Sequence, residues 1–290
     1  MKDLHHIKVN FHICEYCNYH CRHCFAKFGS QQTIHADGWK QITDNVLKSD
    51  IVSEINIAGG EPLMHPEISE IAEYIQKKGT AVSLVTNGSL MTDEWIAKNA
   101  LLFRTVGFSI DALNPDLQIK IGRCAGINIL TEEDIQHKII LLRKCNPEIR
   151  IKVNTVVSAL NKNDCISDNV RKWKADRWKL LKMQEFDNGT YSNSDITVSE
   201  EEYAEYARKS LAAFGLDYRQ EQIMYHAENM QIITENTLKG DYIMIGANGC
   251  LLDNTNGTDY FSVCDCRNEN FAEGLRKLHF DRELYQKRYN

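Results

Sequence analysis

Along the chain, short apolar runs alternate with stretches whose apolar residues recur at helical spacing. Ile7–Ile13, Ile55–Ala58, Val82–Thr86, Val106–Ile110, Ile149–Val157 and Arg177–Met183 have the length and β-branched content of strands. Between them, Trp39–Lys48, Ile68–Lys77 and Glu133–Arg143 repeat apolar residues every three to four positions, the signature of a helix with one buried face. Six β units separated by helices predict an α/β protein with parallel layering. Polar or glycine-rich sequence follows nearly every strand: Gly59-Gly60, Asn87-Gly88 and Asp111. In a barrel-type fold that end of the strands collects the chemistry.

After residue 186 the pattern changes. Asp187–Ser194 is polar and turn-rich, Ser199–Lys209 reads as a charged helix with Ser199 as its N-cap, and Asn248–Asp259 is rich in Asn, Gly and Asp. The expected organisation is therefore a barrel unit over residues 1–186 and an extension over 187–290 that covers the active site without a second independent core.

Composition narrows the class. A chain of 290 residues with 43% apolar and 26% charged residues is that of an ordinary globular protein. A net charge of −6 argues against general adhesion to nucleic acid or to an anionic membrane, and no run approaches the length of a membrane span. No signal peptide is evident at Met1–His6, so a cytoplasmic location with reduced thiols is expected. The ten cysteines then point to metal binding, not to disulfides.

The sharpest local feature is Cys17-x3-Cys21-x2-Cys24, followed by Phe25. Three thiolates can hold three irons of a [4Fe–4S] cubane and leave the fourth open to chelate the amino and carboxylate groups of S-adenosyl-L-methionine (SAM). Other readings of the same residues stay open. The spacing also marks one helix face of buried thiols. With Cys14 the run could be a closed four-thiolate zinc site, to which His20 and His23 could contribute, or an ordinary electron-transfer cluster. Cys250, Cys264 and Cys266 form a second, looser group that could carry an auxiliary cluster.

Supporting residues sit at strand ends. Gly59-Gly60-Glu61-Pro62 combines two glycines that permit close approach of a ligand with a carboxylate able to accept from an ammonium group. Asn87-Gly88-Ser89 and Ser109-x-Asp111 offer further polar contacts. Deeper in the late strands, Lys152 and Asn154 alternate onto one face, as do Arg177 and Lys179. If that face is the barrel interior, three cations gather there, and desolvated cations need anionic partners such as a triphosphate.

Taken together, these residues resemble viperin and its prokaryotic viperin-like relatives within the radical SAM superfamily. The matching pieces are Asn10-Phe-His, Cys17-Asn-Tyr-His-Cys-Arg-His-Cys24-Phe25, Ile55-Asn56-Ile-Ala-Gly-Gly-Glu-Pro62, Thr86-Asn-Gly-Ser-Leu90, Ser109-Ile-Asp111, Ile121-Gly-Arg123, Lys152-Val-Asn154-Thr-Val, Arg177-Trp-Lys179 and Asp241-Tyr242-Ile. They run in family order over about residues 8 to 245. The resemblance implies a partial (β/α)6 TIM-type barrel closed by a C-terminal extension. It also implies a [4Fe–4S] cluster on Cys17, Cys21 and Cys24, with SAM as cofactor and flavodoxin or ferredoxin as one-electron donor. The implied reaction turns a ribonucleoside triphosphate into its 3′-deoxy-3′,4′-didehydro analogue, a chain terminator of viral RNA synthesis. A 5′-deoxyadenosyl radical takes the C4′ hydrogen, and the 3′-hydroxyl leaves as water with one further electron. By the same resemblance Gly59, Gly60, Glu61, Asn87, Ser109 and Arg123 bind SAM. Asn10, Asn56, Lys152, Asn154, Arg177 and Lys179 bind the nucleotide, with Lys152 and Tyr242 catalytic and Tyr242 the proton or hydrogen relay near the sugar.

The chain departs from that pattern in places. Ala58 stands where the family has Ser, and Glu54 where animal members carry a Lys; an anion there would repel a phosphate. The amphipathic N-terminal helix of the animal proteins is absent. The C-terminal part matches poorly, which leaves CTP, UTP and GTP all open as the substrate. Two alternative functions remain at this point: a radical SAM maturase acting on a peptide or other small molecule, and a zinc-stabilised binding protein.

Overall fold

The computed structural model describes residues 7–26, 33–186, 191–237, 240, 242–255, 260–280, 283 and 285–286. Asp241 of the late Asp-Tyr motif lies outside the described residues, as do parts of the polar segments 187–194 and 248–259.

The six expected strands are present and pair in chain order, all parallel: β1 (Ile7–His12), β2 (Val52–Ala58), β3 (Ala81–Thr86), β4 (Thr105–Ser109), β5 (Arg150–Val157) and β6 (Arg177–Lys182). The connecting helices are α1 (Ala36–Leu47), α2 (Ile68–Lys77), α3 (Asp93–Asn99), α4 (Pro115–Ile121), α5 (Glu132–Cys145) and α6 (Ser167–Lys172). The first and last of the six strands do not pair with each other, so the barrel is partial.

Alternation along each strand separates two environments. On β1, Ile7, Val9 and Phe11 are fully buried against the helices, and Phe11 meets Trp39 of α1 with ring centroids 5.1 Å apart. Lys8, Asn10 and His12, one residue out of phase, face the interior cavities. On β5 and β6, Ile151, Val153, Trp178 and Leu180 take the helix side, leaving Lys152, Asn154, Arg177 and Lys179 on the interior. The helices answer with matching stripes: α2 buries Ile68, Ile71, Ala72 and Ile75, and α5 buries Ile135, Ile139 and Leu142.

Beyond residue 186 the chain adds α7 (Glu200–Ala212), capped by a reciprocal Ser199–Glu202 capping box, and the short helix α8 (Phe271–Lys277). It also adds five strands the sequence reading did not anticipate: β7 (Met224–Ala227), β8 (Met230–Glu235), β9 (Ile243–Ile245), β10 (Cys250–Asp253) and β11 (Phe261–Asp265). Most have only three to five residues, too few for alternation to stand out from loop sequence. They extend both edges of the same sheet. β8 pairs parallel to β6 and β7 antiparallel to β8; β9 pairs parallel to β1, with β10 and β11 antiparallel beyond it.

Candidate active site

The cysteine loop leaves the top of β1 and is fastened at two points. The amides of Gly60 and Glu61 donate to the carbonyls of Cys14 (2.7 Å) and Tyr16 (2.9 Å), and those of His20 and Arg22 donate to Gly122 and Ile121 at the end of α4. The two glycines after β2 are needed for the first contact. A Cβ on Gly59 would lie 2.4 Å from the Cys14 carbonyl oxygen, and one on Gly60 2.2 Å from that of Tyr16. Here it is a neighbouring backbone that approaches these glycines so closely.

Cys17, Cys21 and Cys24 line an upper cavity together with Gly59, Gly60, Asn87, Ser109, Arg123 and Asn154. Among the described residues no three His, Cys, Asp or Glu side chains converge on one metal ion. A mononuclear zinc site needs such convergence, whereas a cubane presents its irons at separate corners. Burial raises the Cys17 and Cys21 thiols, Cys21 to about 12, so ligation by iron has to displace their protons. Asn154 Oδ1 is a buried acceptor without a hydrogen bond among the described residues, on a side chain that lines this cavity. Three thiols on one wall, glycine backbone beside them and this open acceptor fit a cubane with SAM on its free iron.

Cys14 is oriented differently. It is fully buried in the core beneath the loop, its thiol donates to the Glu61 carbonyl at 3.3 Å, and burial pushes it up to about 12. It does not line the upper cavity. Cys264 and Cys266 are buried where α8 packs on β11, with Cys250 across the hairpin.

Two of the residues expected to contact the cofactor do not line the cavity. Glu61 does not line it: its carboxylate accepts from the Thr86 hydroxyl (2.6 Å) and from the amides of Asn87 (2.7 Å) and Leu63 (3.1 Å), which ties β2 to β3 and sets Asn87. Asp111 likewise sits behind Arg123, which donates to it through Nε at 2.5 Å; His23 is 3.2 Å from the same oxygen and the Val156 amide 2.8 Å from the other. Burial alone would raise the Asp111 pKa, but Arg123 and His23 hold it well below the ordinary carboxylate range. Against its own burial, Arg123 is kept charged by Asp111. Ser109 and Arg123 remain on the cavity wall.

Below lies a second cavity of about 600 Å³. Lys8, Arg104, Arg150, Lys152, Arg177 and Lys179 line it against Glu54, Asp176 and Glu228. Asn10, Asn56, Lys152, Lys179 and Tyr242 line both cavities and form the layer between them. Asn56 donates to Asn10 (2.9 Å), which donates to the Ile243 carbonyl (3.1 Å) and so fixes the residue next to Tyr242. Gly107 of β4 stands opposite Lys152, where a Cβ would lie 3.6 Å from the lysine stem. Burial, together with Lys179, Lys8 and Arg177, pushes Lys152 well below the ordinary lysine range, and among the described residues it has no ion-pair partner. Arg177 bonds only the neutral Gln231 side chain among the hydrogen bonds seen, at 3.0 Å through Nε.

Lys179 differs from these two cations. Its ammonium donates to Glu235 Oε1 at 2.5 Å and to the Tyr242 hydroxyl at 3.1 Å, and that hydroxyl donates to Glu235 Oε2 at 2.6 Å. Glu235 was missed in the sequence reading, since nothing local marks it; a carboxylate inside the strand-like run Met230–Glu235 was the one available signal. Glu54 is bonded by Lys8 at 2.7 Å and by the Ser83 hydroxyl.

The sequence matches the radical SAM superfamily over residues 11–157, and the fold agrees. The structure aligns with Streptococcus suis SuiB at a TM-score of 0.68, covering 97% of this chain and 67% of that one at 16% identity. It aligns with anSMEcpe bearing AdoMet and a peptide at a TM-score of 0.66, covering 92% and 80% at 14% identity. These likenesses concern the fold. A [4Fe–4S] cluster and SAM are the cofactors of this superfamily. The sequence relatives are more specific. An S-adenosylmethionine-dependent nucleotide dehydratase of Selenomonas ruminantium is 34% identical over 97% of this chain and 98% of its own length. One from Fibrobacter sp. strain UWH6 is 29% identical over 98% and 88%. The chain belongs to the S-adenosylmethionine-dependent nucleotide dehydratase family of radical SAM proteins. Among the described residues no helix is long and apolar enough to cross a membrane.

Proposed function

We propose that this protein dehydrates a ribonucleoside triphosphate (CTP, UTP or GTP) to its 3′-deoxy-3′,4′-didehydro analogue. The observation that carries the reading is the shared layer: a thiol-lined cavity and a cation-lined cavity meet at Asn10, Asn56, Lys152, Lys179 and Tyr242. A molecule with a polyanionic tail and a sugar fits that arrangement, with its phosphates among Lys8, Lys152 and Arg177 and its ribose at the layer.

When bound, the cluster held by Cys17, Cys21 and Cys24 would, with SAM, supply a 5′-deoxyadenosyl radical. The residues of the chain do the rest. Arg123 and Ser109 take the SAM carboxylate, while Gly59, Gly60 and Asn87 line the approach to its amino group. Asn154 offers an acceptor to a ribose hydroxyl. Lys152 and Arg177 hold the phosphates, which keeps C4′ facing upward and supplies the orientation on which selective hydrogen abstraction depends. Tyr242 stands at the same level to deliver a proton. The described part of the C-terminal extension contributes Tyr242, Met244, Asn254 and Tyr260 to the upper wall. The electron donor is a ferredoxin or flavodoxin, and the reducing cytoplasm is the compartment that suits the thiolates.

The test is anaerobic incubation of the reconstituted, reduced protein with SAM and each of the four nucleoside triphosphates. The expected products are 5′-deoxyadenosine and, from at least one nucleotide, a species lighter by one water. Absence of that species from all four mixtures overturns the reading.

A further inference from the structure

We infer that Glu235 is a positioning residue that joins Lys179 and Tyr242 into one proton-donating unit at the layer between the two cavities; the inference rests on the dehydratase reading of the site. Two of the three side chains come from one edge of the open barrel and the third from the other. Lys179 is on β6, Glu235 ends β8 beside it, and Tyr242 precedes β9, which pairs with β1 at the other end of the six-stranded run. The Glu235 side chain is fully buried and the Lys179 side chain is 3% exposed. Both carboxylate oxygens are engaged, one by Lys179 at 2.5 Å and the other by Tyr242 at 2.6 Å, and Lys179 closes the ring onto the Tyr242 oxygen at 3.1 Å.

An ionised carboxylate only accepts. The Tyr242 hydrogen is therefore drawn toward Glu235, and its oxygen is left to accept from Lys179. The Lys179 ammonium donates to both other members of the ring. Lys179 and Tyr242 line both cavities, whereas Glu235 lines neither. Burying a lysine and a glutamate costs desolvation that a neutral clasp would avoid, so their presence beside a tyrosine fits control of protons better than fastening alone. In the proposed reaction the 3′-hydroxyl departs with the electron pair of the C3′–O bond and takes one proton from this unit, leaving as water. The electron that completes the 3′,4′ double bond comes from the ferredoxin or flavodoxin, and solvent restores the proton after product release. Glu235 then sets how the hydrogens of the unit are oriented.

The experiment compares wild type, Glu235→Gln, Glu235→Asp, Tyr242→Phe and Glu235→Gln/Tyr242→Phe. Iron content, nucleotide Kd and the ratio of dehydrated nucleotide to 5′-deoxyadenosine are measured for each. The expectation is that Glu235→Gln keeps its iron and binds nucleotide within about threefold of wild type, while the product ratio falls at least about tenfold, as loss of a placed proton donor produces. Glu235→Asp recovers part of the ratio, and the double variant is no worse than the weaker single one, as for residues acting as a unit. A wild-type ratio in Glu235→Gln, or losses that multiply in the double variant, overturns the inference alone. Loss of iron or of nucleotide binding in both Glu235→Gln and Glu235→Asp makes the role structural and overturns it too. If wild type yields no dehydrated nucleotide, the functional reading fails and the inference with it.

Discussion

Lys8 and Glu54 form an ion pair of 2.7 Å across adjacent parallel strands at the floor of the lower cavity. Burial would raise the Glu54 pKa, but Lys8 and the Ser83 hydroxyl hold the carboxyl below its ordinary value. The Glu54 carboxylate thus reaches the cavity already neutralised by the neighbouring strand. Lys8→Ala is expected to weaken nucleoside triphosphate binding about tenfold or more, since it removes a cation and uncovers an anion beside the phosphates. Adding Glu54→Gln to that variant should recover part of the loss. Calorimetric titration of both variants checks this, and unchanged affinity in Lys8→Ala would count against phosphates at the cavity floor.

Lys152 carries a dependence on pH whose sign follows from its surroundings. Burial, then Lys179, Lys8 and Arg177, disfavour its charged form in the free protein. A bound triphosphate favours that form, so the complex holds more protons than the free protein between the depressed value and the ordinary lysine value. Affinity should therefore fall as pH rises through that window, and binding should take up protons. Lys152→Ala should abolish most of the uptake and weaken binding by about one to two orders of magnitude, with iron content unchanged. Calorimetry in buffers of different ionisation enthalpy measures the uptake directly.

Removal of the Tyr242 hydroxyl separates the two halves of the reaction. Tyr242→Phe keeps the ring that packs over Lys179 at 5.3 Å and loses two hydrogen bonds. It should still cleave SAM, with dehydrated product reduced about a hundredfold, in line with loss of a general acid. Normal product yield would clear the hydroxyl of any part in proton delivery.

Cys14 distinguishes a three-thiolate from a four-thiolate centre. Its thiol is held in the core by the Glu61 carbonyl, away from the cavity lined by Cys17, Cys21 and Cys24. Cys14→Ala should retain about four irons per chain after anaerobic reconstitution, as expected for a single cubane, and lose about 1 kcal/mol of stability from the small void. Cys17→Ala, Cys21→Ala and Cys24→Ala should each lose most of the iron. Loss of metal in Cys14→Ala to the same degree would restore the closed four-ligand site.

Much of the fold was legible because its signals are local. Runs such as Ile149–Val157 and stripes such as Ile68, Ile71, Ala72 and Ile75 carry their own period. The strands of the extension lacked that signal, since β9 has three residues and β10 four. The superfamily was legible in the cysteine spacing, but the depth of each polar residue was not. Glu61 is an example: the turn Gly59-Gly60-Glu61 reads as a ligand loop, yet its glycines meet backbone and its carboxylate turns under Asn87.

The amino-acid sequence by itself determined which side chains share a strand face, because alternation is a property of the extended backbone and needs no partner. That places Lys152 with Asn154 and Arg177 with Lys179, and it confines the three clustered thiols to one short loop after β1. Only the tertiary structure decided how those charges are balanced. Glu235 meets Lys179 across 56 positions of sequence and Glu54 meets Lys8 across 46, through strand pairings that form only when the whole sheet assembles. Two cations of similar local pattern, Lys152 and Lys179, end in different surroundings because the sheet delivers a carboxylate to Lys179 and leaves Lys152 buried beside further cations.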